Sequence, residues 1–508
     1  MKNRRRWIIA ALIVAGALAT PLVLVMRPVR ITLDTPGANP LGRRMTVKLR
    51  EPARVTVTLR GLDNNDITRA SQELSRTHTI DLLGLYPDHK NQVSIEARSE
   101  SGTIRQRGVT VRTDALPEYY PDPQVTMIQA DLVAPGVTFL VLGHYEEDGD
   151  YVALPSAIDA HGRVRWFYEG DLGHALRRTE HGTLLASNTE ELFEVTMLGE
   201  PTGRTWPIPE GFHHDAEILP NGDLLALTTA PGSFEDGVVE IDREDGSIIR
   251  DWDYRTILDP ARERQPINLR DDDWLHLNGV DYDPRSNEII VSGRDQSAVV
   301  AIDRMSGDLR WILGSHDLWT ERFERHLLEP IGEPFAWQWG QHAPMVHPSN
   351  PNRLLVYDNG NKRSYDDPLE PHENYSRAVE YEIDREAMTV RQVWEFGRRY
   401  GSELYTPFIG DADYLDNGNR LVNFGGITRS LTGEPVEIFD YETQSVRRMK
   451  ISARIVEVTS DLPAQEVWSL SLEDPDSERH RGYRVYRAMR MPLYPTLYPT
   501  LYPEDDQP

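Results

Sequence analysis

The chain has no cysteine in 508 residues. Thiol nucleophiles, cysteine-ligated zinc, iron–sulfur clusters and disulfides are therefore excluded. Positive charge is also scarce. The 55 Lys and Arg stand against 81 Asp and Glu, a formal net charge of −26. A nucleic-acid binder needs a basic footprint, so no nucleic-acid partner is expected. No Gly-rich loop of the phosphate-cradling type occurs, which is consistent with no bound nucleotide. What is plentiful is turn chemistry. The 36 Gly and 35 Pro predict many turns and few long helices.

One long apolar run breaks this pattern. Lys2, Arg4, Arg5 and Arg6 precede Trp7–Met26, which carries no charge. About 20 apolar residues cross a hydrocarbon core of roughly 30 Å as a helix. A cleaved signal peptide has a shorter apolar region, about 7–15 residues, and here apolar residues continue past Ala15–Ala19. Residues 1–29 are thus expected to form an uncleaved signal-anchor, with the basic flank inside and the rest exported. The part beyond Met26 then holds 51 of the 55 cations against all 81 acids.

Residues 30–113 alternate apolar and polar positions in short runs, as in Met45–Leu49, Arg54–Leu59 and Gln92–Ala97. A small β-sandwich is expected there. The proline-rich stretch 114–124 reads as a linker. From residue 125 tryptophans recur at Trp166, Trp206, Trp252, Trp311, Trp394 and Trp468, spaced by 40, 46, 59, 83 and 74 residues. A four-stranded blade takes roughly 40–45 residues, and longer intervals leave room for loops. Residues 125–495 are therefore expected to form a six-bladed β-propeller, making the chain all-β. Residues 496–508 continue a Leu-Tyr-Pro-Thr repeat into an acidic end and read as an extended tail.

A second repeat runs in step with the first. His174 follows Trp166 by eight residues and His214 follows Trp206 by eight. His276 and His342 follow Trp252 and Trp311 after longer insertions, and Gly410 takes the place in the fifth unit. Equivalent starts of inner strands converge at one mouth of a propeller. Such a ring of imidazoles could bind a metal, or could hold an oxyanion with one His as nucleophile. Asn278, two residues after His276, shares its strand face. Arg294 ends the next strand-like run, and a guanidinium suits sulfate or phosphate better than a metal cation. Asp215 could act as a base or orient His214.

Phe212–Gly222, Asp273–Asn278, Ser292–Gln296, Gln341–Ala343, Tyr375–Tyr381, Val393–Gly397 and Tyr483–Pro495 resemble, in order, the motifs of bacterial aryl sulfate sulfotransferases. The resemblance spans roughly residues 120–495. It implies an enzyme that moves a sulfuryl group from an aryl sulfate donor to a phenolic acceptor without a nucleotide or other cofactor. It makes His342 the nucleophile and places His276, Asn278 and Arg294 around the sulfuryl group. The remaining motif histidine corresponds to His214, with His213 open as its alternative. Tyr375, Tyr405 and Trp274 are candidates to hold an aryl ring. No metal is implied. Location on the periplasmic side of the inner membrane fits the anchor, and a homodimer is implied by the resemblance alone. The competing classes are a metal-dependent propeller enzyme such as a lactonase, a quinoprotein dehydrogenase, and a non-catalytic propeller that binds an anion or partner. Pro344 after the Gln-His motif, and the missing cysteine pair, depart from well-studied members.

Overall fold

A computed structural model of the protein describes residues 29–71, 73–145, 151–263, 272–437, 449–473 and 482–495. The expected anchor Trp7–Met26 and the tail 496–508 lie outside the described residues. Among the described residues no helix is long and apolar enough to cross a membrane. The fold is all-β, and among the described residues its one α-helical piece is the single turn Tyr254–Ile257. Two compact units divide the described chain. One holds residues 29–34, 43–82 and 89–112, and the other holds 35–42, 83–88 and everything from 113 onward.

In the smaller unit six strands share one hydrogen-bonded sheet. Its spine is Arg43–Leu59, a single strand of 17 residues. The sequence suggested two short strands here, Met45–Leu49 and Arg54–Leu59. They fuse because their buried positions keep one phase: Met45, Val47, Ala53, Val55, Val57 and Leu59 all face the core. The first half of the spine pairs with Val29–Asp34 and Ser75–Leu82, the second with Ile67–Ala70 and Lys90–Ser99.

Among the described residues the larger unit contains six sheets built on four-stranded antiparallel cores. Sheets II to IV each take four consecutive strands, for example Phe212–Ile218, Leu224–Thr228, Gly237–Ile241 and Ile248–Asp253 in sheet III. Sheet II begins with Arg177–Arg178 and sheet IV with Leu277–Asp283. Sheet V begins with His342–His347 and sheet VI with Asp411–Tyr414. Sheet I is assembled from both ends of the unit: Val137–Tyr145, Ser156–Ile158 and Val164–Phe167 are completed by Tyr483–Met491. Sheet VI in turn receives Gln124–Ile128 beside Glu466–Leu472. The middle strands are apolar on both faces, as in Leu224–Thr228 and Ala298–Ala301, because consecutive sheets pack face to face. One core joins Leu225 and Val238 of sheet III to Val280 and Val291 of sheet IV. Another joins Ile290 and Val299 of sheet IV to Val346 and Leu354 of sheet V.

All six repeating tryptophans occupy the fourth strand of their sheets, and all are buried. Three of them lock neighbouring sheets together through the indole N–H. Trp166 of sheet I donates to the Met197 carbonyl in sheet II at 2.8 Å, Trp206 of sheet II to Arg243 in sheet III at 3.1 Å, and Trp468 of sheet VI to Ala160 in sheet I at 2.8 Å. The Trp311 N–H instead donates to Glu288 within its own sheet, and that of Trp394 has no partner among the described residues, so burial of the ring is what all six share.

Candidate active site

The first strand of sheets II to VI begins at a backbone kink. The φ angles there are 61° at Gly173, 54° at His214, 53° at His276, 48° at Ala343 and 51° at Ile409. Four of the five residues are not glycine, so each holds a left-handed conformation that L residues seldom adopt. Register shifts sit at or beside several kinks: between Phe212 and Ala216, Leu277 and Gly279, and His342 and Met345. The last strand, Tyr483–Met491, has its own shift between Val485 and Ala488. Bulges of this kind re-aim side chains out of the pleat. The second sequence repeat is therefore a repeat of backbone geometry, and it brings histidines from different sheets together. The His174 and His214 rings lie 6.4 Å apart, and those of His214 and His276 4.9 Å apart.

Strict alternation from His276 to Asn278 does not hold. His276 stands outside the strand at its kink, and the register shifts at Asn278. The Asn278 amide instead reaches across to sheet V, where Nδ2 donates to the Gln341 carbonyl at 2.9 Å. Its Oδ1 has no hydrogen-bond partner among the described residues. Gln341 is a buried brace: its Nε2 donates to Ser292 Oγ, Gly293 O and Ala298 O at 3.0–3.1 Å. These bonds hold the start of sheet V against sheet IV. Pro344 packs where a side chain on Gly279 would stand, with its Cδ only 2.7 Å from that Cβ position.

His342 follows Gln341 directly and is buried. Its Nδ1 lies 2.7 Å from Asn359 Oδ1. The Asn359 amide is fixed, because its Nδ2 donates to the carbonyls of Thr406 at 2.9 Å and Ile409 at 2.7 Å. Oδ1 can therefore only accept, so His342 carries its proton on Nδ1 and presents a lone pair on Nε2. Burial, with Arg294 next and His276 after it, depresses the His342 pKa to about 3. The imidazole is neutral at physiological pH.

His276 is the opposite case. Its Nδ1 donates to Asp273 Oδ2 at 2.7 Å, and Glu235 Oε2 lies equally close as an ion-pair partner. Burial opposes charge here, but the Glu235 and Asp273 carboxylates outweigh it and raise the His276 pKa well above normal. Glu235 also stands 3.8 Å from His214 Nδ1. His213 and His214 share a hydrogen bond between their Nδ1 atoms at 3.0 Å, so one donates and the other accepts. Burial lowers the pKa of both. His174, stacked on Tyr486 with centroids 4.0 Å apart, is lowered to about 3 by burial and then by Arg484. The atoms of His213, His214 and Glu235, and of Glu235, Asp273 and His276, lie within 4.8 Å of one another, a spacing that a metal ion could also use. With His276 Nδ1 at hydrogen-bond distance from Asp273, the second set can equally hold a proton.

Arg294 is 8% exposed, with Nη1 3.5 Å from Asp295 and Nε without a hydrogen-bond partner among the described residues. Its backbone N–H donates to the His276 carbonyl at 3.1 Å. A buried guanidinium with donors to spare suits a tetrahedral oxyanion. Asp215 proves to be neither a base at this mouth nor the partner of His214. Its oxygens are taken by Arg177 and Arg487, each at 3.0 Å, and His214 faces Glu235 instead.

The aromatic candidates are placed differently from one another. Tyr405 is fully buried and donates to Glu437 at 2.7 Å. Tyr375 has the Arg363 guanidinium 3.6 Å from its ring centre and Arg398 at 5.2 Å. Trp274 donates to the Arg262 carbonyl at 3.0 Å and packs on the core shared by sheets III and IV. The residues that the sequence reading missed are Glu235, Asn359 and Tyr486. The first two sit in loops and carry no motif, while Tyr486 lay inside a recognised motif with no role attached.

A family model described as Arylsulfotransferase (ASST) matches residues 124–466, and one described as Arylsulfotransferase Ig-like domain matches residues 30–114. The chain is similar to "Arylsulfate sulfotransferase AssT" of Escherichia coli O6:H1, at 26% identity over 88% of this chain and 92% of that protein. It is similar at 25% identity, with the same coverage, to the protein of that name from Lelliottia amnigena. Among solved structures, a protein of unknown function from Bacteroides caccae shares 14% identity over 70% of this chain and 100% of that chain, with a TM-score of 0.39, too slight a likeness to argue from. Since the ASST model covers more than half of the chain, His174, His213, His214, His276, Arg294 and His342 among its residues, the chain belongs to the arylsulfotransferase family.

Proposed function

We propose that the six sheets of the larger unit are the blades of one β-propeller, and that the histidine mouth at its axis transfers a sulfuryl group from an aryl sulfate to a phenol. The propeller reading is supported by face-to-face packing of successive sheets and by the Trp468 bond from sheet VI back to sheet I. The observation that carries the chemistry is the 2.7 Å bond from His342 Nδ1 to Asn359, because it leaves Nε2 free as a neutral nucleophile.

In the first half-reaction His342 Nε2 attacks sulfur. The N–S bond forms, the S–O bond to the aryl group breaks, and the phenolate leaves with the bonding pair. In the second half the acceptor phenol oxygen attacks the same sulfur. The N–S bond breaks, its electron pair returns to Nε2, and the acceptor proton passes to solvent. Arg294 and Asn278 hold the equatorial oxygens, where charge gathers in this class of transfer, and His276 beside them is assigned to the bridging oxygen that leaves with the aryl group. His214, with His213 beside it, closes the other side. Tyr375 and Tyr405 stand as candidates for the aryl site. The anchor Trp7–Met26 would hold this domain on the periplasmic side of the inner membrane, and N-terminal sequencing of the mature protein tests that. The homodimer implied by the resemblance is tested by its mass in solution.

The test of mechanism is a two-substrate kinetic study with a chromogenic aryl sulfate and a phenol acceptor. Parallel double-reciprocal lines are expected, and donor alone should add one SO3 unit to the peptide containing His342. Intersecting lines with no labelled peptide would mean direct transfer in a ternary complex and return His342 to a binding role.

A further inference from the structure

Two left-handed residues face each other across sheets III and IV. Glu235, with φ 58°, lies in the loop between Leu224–Thr228 and Gly237–Ile241, and His276, with φ 53°, precedes Leu277–Asp283. Such conformations cost of order 1–3 kcal/mol each and persist only where the surroundings enforce them. The enforcement is visible. The Leu277 N–H donates to the Glu235 carbonyl at 2.8 Å. The Asp236 carboxylate accepts from the N–H groups of Leu275 at 3.1 Å and His276 at 3.2 Å. The Phe234 N–H donates to Asp272 O at 2.9 Å, and the Arg294 N–H to His276 O at 3.1 Å. One clamp therefore sets the backbone of both His276 and Arg294.

What the clamp achieves is a carboxylate in an unusual place. Glu235 Oε2 is buried, lacks a well-aligned hydrogen bond, and lies 2.7 Å from His276 Nδ1. Asp273 Oδ2 is equally near the same nitrogen and accepts its proton. Two carboxylates against one ring nitrogen require a cation between them, since a neutral ring would leave two buried like charges unbalanced. The ring then carries a proton on both nitrogens, and Nε2–H is the end left for a ligand. The other groups around His276 are His213 and His214 from sheet III, Asp236 below the loop, and Arg294 and His342 from sheets IV and V. All the neighbouring histidines are pushed toward the neutral form, and His276 alone is pushed toward charge.

We propose that Glu235 is a positioning residue: with Asp273 it pins His276 so that Nε2–H, rather than a lone pair, faces the sulfuryl pocket, and through that hydrogen it governs how well donors with poor phenolate leaving groups react. This rests on the sulfotransfer reading for its second half only. The charged Nε2–H donates to the oxygen on which negative charge develops as the S–O bond lengthens. An acidic phenol leaves without such help, and a weakly acidic phenol does not.

The experiment uses the full chain, selectively labelled with 15N-histidine, as wild type, Glu235→Gln and Asp273→Asn. In the wild type the His276 ring should show both nitrogens protonated from pH 6 to pH 9. In Glu235→Gln that signal should titrate within the range. Turnover of Glu235→Gln should stay within about threefold of wild type for a nitrophenyl sulfate but fall about 10²-fold for unsubstituted phenyl sulfate, with KM little changed. Thermal melts and near-ultraviolet spectra establish folding, and Asp273→Asn gives a second, independent loosening of the same ring. A neutral His276 in the wild type at pH 7, or an equal loss of turnover on both donors, would overturn the proposal. A wild-type protein that keeps the charged ring yet transfers no sulfuryl group would sink the sulfotransfer reading and leave the pinning of His276 standing.

Discussion

In the larger unit His174, His214, His276 and His342 stand at or beside the kinks, and farther along the strands stand Arg177, Asp215, Asp281, Asp411, Asp413 and Arg487. Both regions bury ionisable groups, and burial acts on them with opposite sign. At the mouth it keeps histidines uncharged, with pKa values near 3 for His174 and His342. In the ladder it favours the protonated form of carboxyl groups, raising Asp215 to about 6, Asp413 to about 7 and Asp281 to about 8. The ladder is largely closed on itself. Arg177 holds Asp215 and Glu217 at 3.0 and 3.2 Å, Arg487 holds Asp215 at 3.0 Å, and Asp281 accepts from the Val346 N–H at 2.6 Å. The mouth is left open, with Arg294 Nε and Asn278 Oδ1 unbonded among the described residues. A polar cluster that satisfies itself braces a fold, whereas one that leaves aligned groups unsatisfied is arranged for something else.

That contrast can be broken by experiment. The largest effect is expected from His342→Asn at the mouth. Turnover should fall on the order of 10⁴-fold or more while the melting temperature holds. Residual activity within tenfold of wild type would make the histidine mouth as structural as the ladder. Arg487→Met should do the reverse and lower stability by about 3–5 kcal/mol, because it leaves buried carboxylates unpaired. Its pH dependence gives a sharper check. Losing the cation raises the folded-state pKa of Asp215 and Asp411 further above their unfolded values near 4. The deficit should therefore be small at pH 4, grow as pH rises through the folded values, and be full above them. Urea unfolding at pH 5 and pH 8 reads this directly, and equal deficits at both would mean that packing, not charge, is what Arg487 supplies.

Arg294→Lys keeps the charge but not the planar fork, and should cost about 10²–10³ in turnover with the fold intact. Wild-type turnover would remove Arg294 from the site. The smallest effect is expected from Asn359→Ala, which frees the His342 tautomer. A loss of about 10–10²-fold in kcat with KM unchanged is the usual size for losing such a partner. A change in KM alone would show that Asn359 shapes the pocket rather than the nucleophile.

Much of this arrangement could be read from sequence because repetition exposes it. The tryptophans mark the fourth strands since each buries its indole there, and the histidines mark the kinks because sheets II to V restart in a similar way. Glu235 and Asn359 escaped because nothing local distinguishes them. Each sits in a loop and acquires meaning only from a residue 17 to 41 positions away: Asn359 from His342, and Glu235 from His276. The relation of Asn278 to His276 was misjudged because alternation fails at a bulge. The fused strand Arg43–Leu59 was read as two, because Glu51 and Pro52 look like a turn between them.

The way sheet I is finished bears on biosynthesis. Its inner strand, Tyr483–Met491, pairs with Val137–Tyr145 and brings Tyr486 beside His174 and Arg487 onto Asp215. A ribosome has therefore made nearly the whole chain, nucleophile included, before the strand that completes the mouth exists. Until then Asp215 lacks one of its two cations and the edge of Val137–Tyr145 is unpaired, a condition that invites wrong pairing. Closure must wait for residues some 340 positions apart to meet, which is slow by the ordinary dependence of folding rate on contact order. A chain that stops short of Tyr483 should thus lack the strand that carries Tyr486 and Arg487 to the site, and should be inactive.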